Sequence, residues 1–225
     1  MAFIFEDRPA DSPCVDTIWR TRSAGAGSFI SRAVSQWEIV VTRQEGKTTL
    51  TVRGPETRAT PAPIPADAEF VGITFALGAF LPCLPLGALV DRAVTLPEAT
   101  STSFWLQGAA WPFPDYDTAD TFVERLVRRG LLVRDTLVEA AVRGHPPDRS
   151  ARSVQRHVVR ATGLTQGAIG QIDRARRAAA LLERGVSILD TVDQAGYADQ
   201  PHLTTALRRL IGQTPAQIVR QRRPE

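Results

Sequence analysis

The chain has 225 residues, 43% of them hydrophobic and 23% charged, with a formal net charge of +3. That balance is globular and long enough for two domains of ordinary size, which excludes a disordered or fibrous chain. Two distant cysteines, Cys14 and Cys83, exclude a disulfide framework, and no Cys/His cluster has zinc-ligand spacing.

The charge is unevenly spread. Residues 134–225 carry 15 arginines against 9 acidic residues, whereas residues 1–133 carry 12 basic against 15 acidic ones. A basic C-terminal part beside a mildly acidic remainder fits a polyanion-binding module attached to something else. Charge alone is equally consistent with solvated helix faces. The first residues, MAFIFEDRPADSP, lack the basic start and apolar run of a secretory signal, so the expected location is cytoplasmic.

The first half reads as strands. Glu38–Thr42 (EIVVT) and Thr48–Val52 (TTLTV) flank Glu45-Gly46, a hairpin turn. Gly54-Pro55 and the prolines at 61, 63 and 65 read as loop, too proline-rich for a central strand. Glu69–Phe75 returns to strand, and the whole implies a small sheet or open barrel. Phe70–Val90 runs 21 residues without a charge, the length of a membrane span. Pro82 and Pro85 would break such a helix. The segment therefore reads as a buried strand, Val71–Phe75, then a glycine turn and a short packed helix, with no membrane partner.

From Asp117 the apolar period becomes helical. Phe122, Leu126 and Val127 share a face of a helix that Gly130 closes, and Thr136–Val142 forms a second helix ending at Gly144. The loop HPPDR at 145–149 leads to Ser150, an N-cap for helix Ala151–Ala161. A long helix starts at Thr165 and runs to about Leu182, closed by Gly185. Ser187 caps Ile188–Ala195, Gly196 makes the turn, and Gln200–Ile211 and Pro215–Gln221 come next. Seven helices result: two short-helix pairs joined by one long helix.

Two stretches of this helical half repeat. SVQRHVVRATGLTQGAI from Ser153 to Ile169 recurs, degenerate, as HLTTALRRLIGQTPAQI from His202 to Ile218. Val154 falls on Leu203, Val158 on Leu207, Arg160 on Arg209, Gly163 on Gly212, Thr165 on Thr214 and Ile169 on Ile218. Each copy is a short basic helix with apolar residues four apart, a glycine suited to the left-handed conformation that ends helices, and a threonine to cap the next helix. Two such helices on one scaffold suit a surface that repeats, and double-stranded DNA repeats every turn.

The run from Ile188 to Ile218 resembles the second helix-turn-helix of AraC-family transcription regulators. The residues that carry the likeness are Ile188, Asp190, Gly196-Tyr197, Asp199-Gln200, His202-Leu203, Arg208, Gly212 and Thr214-Pro215. Upstream, Ser150, Arg152, Gln155, Arg156, Thr162 and Gly163 look like the first helix-turn-helix, and Arg174, Ala175 and Leu181-Leu182 like the linker helix. The resemblance covers about residues 118–225. It implies an α+β chain: a β-rich, loosely cupin-like effector-binding or dimerisation domain over 1–116, then an all-α DNA-binding domain over 117–225. Two helix-turn-helix units would be joined there by the long linker helix. Helices 151–161 and 200–211 would read the major groove about one DNA turn, or roughly 34 Å, apart. A small-molecule effector, a second copy of the chain and RNA polymerase are the further partners implied.

In the first recognition helix Val154 and Val158 face the core, leaving Arg152, Gln155 and Arg156 as base readers. Arginine forks onto guanine, and glutamine matches adenine. In the second, Gln200, Pro201, Thr204 and Thr205 face outward as base contacts. Thr205 stands where many relatives carry arginine, so the second unit is expected to grip more than it reads. Ser150, Arg160, Arg208 and Arg209 are the expected phosphate contacts, which position without specifying sequence. His202 reads as a capping or packing residue.

In the first half, Trp37, Trp105 and Trp111 could line an apolar effector pocket with Glu38 orienting a polar group. The same aromatics also read as ordinary core. Residues 1–133 hold no histidine, so no metal site, cofactor or catalytic residue is assigned. The alternative is a small-molecule-binding or hydrolytic protein whose basic helical domain docks a protein partner. The chain shows no G-x-S-x-G elbow and no phosphate-binding glycine loop to support it.

Overall fold

The computed structural model describes residues 4–142, 144 and 150–221; the loop expected at 145–149 lies outside them. The strands in chain order are β1 (Ile4–Arg8), β2 (Val15–Ser23), β3 (Gly27–Ser31), β4 (Glu38–Gln44), β5 (Lys47–Arg53), β6 (Thr60–Ile64), β7 (Ala68–Phe75), β8 (Ala79–Phe80), β9 (Ala93–Thr95), β10 (Glu98–Thr100), β11 (Ser103–Leu106), β12 (Ala109–Pro112) and β13 (Val133–Arg134). The helices are α1 (Ala119–Arg128), α2 (Thr136–Val142), α3 (Ala151–Thr162), α4 (Gln166–Glu183), α5 (Ile188–Ala195), α6 (Gln200–Leu210) and α7 (Pro215–Gln221). A sheet-rich first half is thus followed by a helical second half.

Two compact units emerge, each assembled from three stretches of chain. One comprises Met1–Gly27, Gln36–Pro55 and Pro63–Gln166; the other comprises Ser28–Ser35, Glu56–Ala62 and Gly167–Glu225.

The first unit is built on a six-stranded antiparallel sheet in the order β1-β2-β7-β4-β5-β9. β4 and β5 form the expected hairpin, Glu38 pairing with Arg53 and Gln44 with Lys47. Glu45 and Gly46 both take positive φ, which suits the tight turn between them. Ile39, Val40 and Val41 are all buried, so β4 is covered on both faces. Trp37 stacks on Phe75 at 3.9 Å between centroids, and its indole Nε1 donates to the Ala79 carbonyl at 2.6 Å. A second core gathers where β11 and β12 meet α1: Trp111 and Phe104 both pack edge-on or near edge-on against Phe122. After β7 the uncharged stretch turns on glycine as expected, continues as the short strand β8, and the short packed helix is a 3-10 helix of three residues, Leu86–Ala88. Among the described residues no helix is long and apolar enough to cross a membrane.

The proline run, expected as loop, is instead strand: Thr60–Ile64 (TPAPI) is β6, paired with β3 in a two-stranded ribbon. A strand with one partner points alternate N–H groups away from it, so Pro61 and Pro63, two apart, need cost the ribbon no ladder bond. What the prolines exclude is a central position, and β6 has none.

Gly72 in β7 lies opposite Trp19 of β2, and a Cβ built there would sit 2.0 Å from the indole ring. The ring that covers Gly72 also stacks on Phe5 of the edge strand, 5.9 Å between centroids. Gly72→Ala is expected to destabilise the chain by about 1–3 kcal/mol, because the indole has to move out of a packed position. Urea unfolding should show a lower midpoint with unchanged slope, together with altered tryptophan emission.

Candidate nucleic-acid interface

In the first unit, α3 is held at both ends. Ser150 is its N-cap, the hydroxyl oxygen accepting from the Ser153 N–H. Gly163 closes it at φ 74°, and a Cβ there would lie 2.8 Å from the Leu86 backbone. Left-handed conformation and close approach both require glycine at this point. Along the helix Val154, Val158 and Ala161 are buried, while Arg152, Gln155, Arg156 and Arg160 are exposed. Among the described residues Arg152 and Arg156 have no ion-pair or hydrogen-bond partner, so both forks are free for a ligand. Arg160 differs: its guanidinium lies over the Phe80 ring, 5.7 Å from the centroid. His157, half-buried on the flank, has Nδ1 2.6 Å from Asp135 Oδ2. Asp135 also accepts from the Leu137 N–H at the start of α2, so a single carboxylate ties α2 to α3.

The second unit carries the other copy of the repeat. Ser187 caps α5 by accepting from the Asp190 N–H, and Gly196 ends it. Asp199 caps α6, its carboxylate accepting from the His202 N–H at 2.7 Å. Leu203, Leu207 and Leu210 are buried. Gln200, Pro201, Thr205, Arg208 and Arg209 are exposed and Thr204 is half-buried. Thr214 and Gln217 form a reciprocal capping box at α7: Oγ1 of Thr214 accepts from the Gln217 N–H, and the Gln217 side chain accepts from the Thr214 N–H.

The far end of α6 is closed by segments from the first half of the chain. The Ala33 N–H donates to the Leu210 carbonyl at 2.7 Å, and the Ala59 N–H to the Arg209 carbonyl at 2.8 Å. The two donor segments pair with each other through Val34 and Glu56. Arg176 of α4 donates to the Ala33 carbonyl, and Arg32 pairs with Glu183 at 2.9 Å. Gly212, at φ 80°, packs so closely that a Cβ would come within 2.6 Å of Ile30. Nothing local in residues 28–35 or 56–62 marks them as partners of a helix 150 or more positions away, and sequence reasoning missed them.

The first-half candidates are dispersed. Trp37 and Trp111 are core, 3% and 0% exposed, whereas Trp105 is 46% exposed on β11. Arg125 and Arg129 both lie over the Trp111 ring. Glu38 pairs with Arg53 at 3.2 Å. A cavity of about 340 Å³ in this unit is lined by other residues, among them Asp11, Asp120, Glu124 and Arg128.

His202 behaves as the packing residue expected, its ring edge-on to Tyr197 at 5.1 Å. Burial raises the Tyr197 pKa, so the phenol remains a donor at neutral pH. Asp199 was legible only as part of the family likeness; its position three residues before His202 is the cap signal. Asp199→Ala is expected to cost about 0.5–2 kcal/mol, and Asp199→Ser to retain most of that. Thermal unfolding of the two variants checks the difference.

A family model for a helix-turn-helix domain matches residues 148–221. No curated protein matches the chain. Among solved structures, that of ToxT from Vibrio cholerae is similar over 96% of this chain and 97% of that one, at 10% identity and a TM-score of 0.36.

Proposed function

We propose that this chain, whose residues 148–221 match a helix-turn-helix family model and resemble the AraC type, is a sequence-specific, DNA-binding transcription regulator. One observation carries the reading: two capped, glycine-closed helices of the same repeat bury their four-spaced apolar residues and expose their polar ones. In this reading α3 and α6 enter successive windows of the major groove. Arg152, Gln155 and Arg156 read bases, and Gln200, Pro201, Thr204 and Thr205 touch bases with less discrimination. Arg160, Arg208 and Arg209 neutralise phosphates. Ser150 would add a phosphate contact only through its proton, since its oxygen already caps α3.

Residues 1–116 would then form the effector-binding and dimerisation domain and 117–225 the DNA-binding domain. A small-molecule effector, a second copy of the chain and RNA polymerase are the partners, and the cytoplasm is the place of action. Support for this part is the family likeness of the helical half alone.

Arg156→Ala is expected to cost about 1–3 kcal/mol on a selected duplex and to relax preference at one base position. Arg208→Ala is expected to weaken all duplexes alike and to lower the salt slope by about one. Anisotropy titrations of selected and shuffled duplexes over a range of salt separate the two. Uniform loss in both variants would remove the division of labour, and salt-independent binding would remove the DNA reading.

A further inference from the structure

Within the second unit, α4 and α6 face each other across a cavity of about 170 Å³. Its polar lining is Gln171 and Arg174 from α4, Tyr197 from the turn after α5, and His202, Thr205 and Arg209 from α6. The three α6 residues keep a three-to-four spacing and so share one face. No carboxylate lines the cavity. The set is therefore two guanidiniums, a phenol, an imidazole, a hydroxyl and an amide, strongly biased toward donors.

These groups are also held in place. Arg174 lies over the Tyr197 ring at 4.8 Å, and its Nη1 donates to the Gly196 carbonyl at 3.3 Å. Arg209 donates to the Gln171 side-chain oxygen across the cleft at 2.8 Å, which occupies one of its five N–H groups. Arg174 Nε and Tyr197 Oη are both buried, and the Arg174 side chain is the phenol's polar neighbour, acting on it by hydrogen bond and by charge. The pair holds one guanidinium at the cavity wall, and the lining brings no negative charge to balance it or Arg209. A partner with negative charge and several acceptor oxygens complements such a lining. A phosphate group does so, and arginine forks suit its oxygens.

We propose that the α4–α6 cleft binds a phosphate group through Arg174, Tyr197, Thr205 and Arg209. The phosphate comes either from the backbone of a duplex, in which case the proposal rests on the DNA-binding reading, or from a free phosphorylated small molecule, in which case it stands apart. Either way Arg174, otherwise a residue of the linker helix, becomes a ligand contact.

The test uses the full chain and inorganic phosphate as probe. Thermal unfolding is compared in sodium phosphate and in sodium chloride at matched pH and ionic strength, beside duplex titrations over a range of salt. Thr205→Val keeps the shape of an exposed side chain and removes one hydroxyl; Arg174→Gln removes the charge. Phosphate is expected to raise the Tm of the parent chain by several degrees and to lose that effect in both variants. For a duplex source, phosphate also competes with DNA and each variant binds DNA about tenfold more weakly, Arg174→Gln with a salt slope lower by about one. For a free source, the Tm effect stands while phosphate does not compete with DNA and the salt slope of Arg174→Gln equals that of the parent chain. A phosphate effect that is absent, or that survives in Thr205→Val, overturns the proposal. Should the parent chain bind no duplex at all, the DNA reading falls alone, and the Tm comparison still decides the pocket.

Discussion

The last carbonyls of α6, on Arg209 and Leu210, accept from the backbone N–H groups of Ala59 and Ala33. A helix end leaves four such carbonyls without intrahelical donors, and here main chain from far upstream supplies two of them. Each bond is worth only about 1 kcal/mol net, yet leaving a buried carbonyl unpaired costs more than making the bond gains. The contact therefore acts as a constraint. Because it runs through backbone, it fixes where α6 ends with little regard to side chains. Gly212 completes it by letting Ile30 and Ala59 approach where any side chain would collide.

The other copy of the repeat meets the same requirement differently. Gly163 ends α3 against the backbone of Leu86 and Gly87, so both helices stop at a glycine pressed onto a segment of the first half. Beyond that shared geometry the copies diverge in chemistry. α3 offers the exposed guanidiniums of Arg152 and Arg156, unpaired among the described residues. α6 offers threonines and a proline at its start, and concentrates its donors in the cleft it shares with α4. One surface would suit discrimination between bases and the other an oxyanion, as proposed above. Local periodicity sets the fold of both, while the exposed positions set what each can do.

The helical half was legible because its signals are local. Ser150, Ser187, Gly163 and Gly196 sit at the helix ends they mark, and the four-spaced valines and leucines are buried as their spacing requires. The hairpin at Glu45-Gly46 was legible for the same reason. What escaped depends on distance along the chain. The His157–Asp135 contact spans 22 positions, and the closure of α6 by residues 33 and 59 spans 177 and 150. No periodicity encodes such pairs. The proline strand misled because proline content excludes a central strand but not a ribbon. The tryptophans were ambiguous from the start: an indole needs burial and one acceptor whether or not a ligand is near. Trp37 and Trp111 find theirs in the carbonyls of Ala79 and Leu106.

The upstream segments that finish α6 also determine where this chain can be cut. Severing it ahead of residue 117, as one would to transplant the helical half onto a foreign partner, removes Ala33, Ala59 and Ile30 together. The excised half would carry two unsatisfied carbonyls and a bare glycine shoulder into solvent, along with Glu183 stripped of Arg32. A minimal autonomous version of the second unit would have to keep 28–35 and 56–62, grafted as a hairpin. Modular exchange in a chain built this way is limited by interleaving, even though its linear order suggests two separable halves.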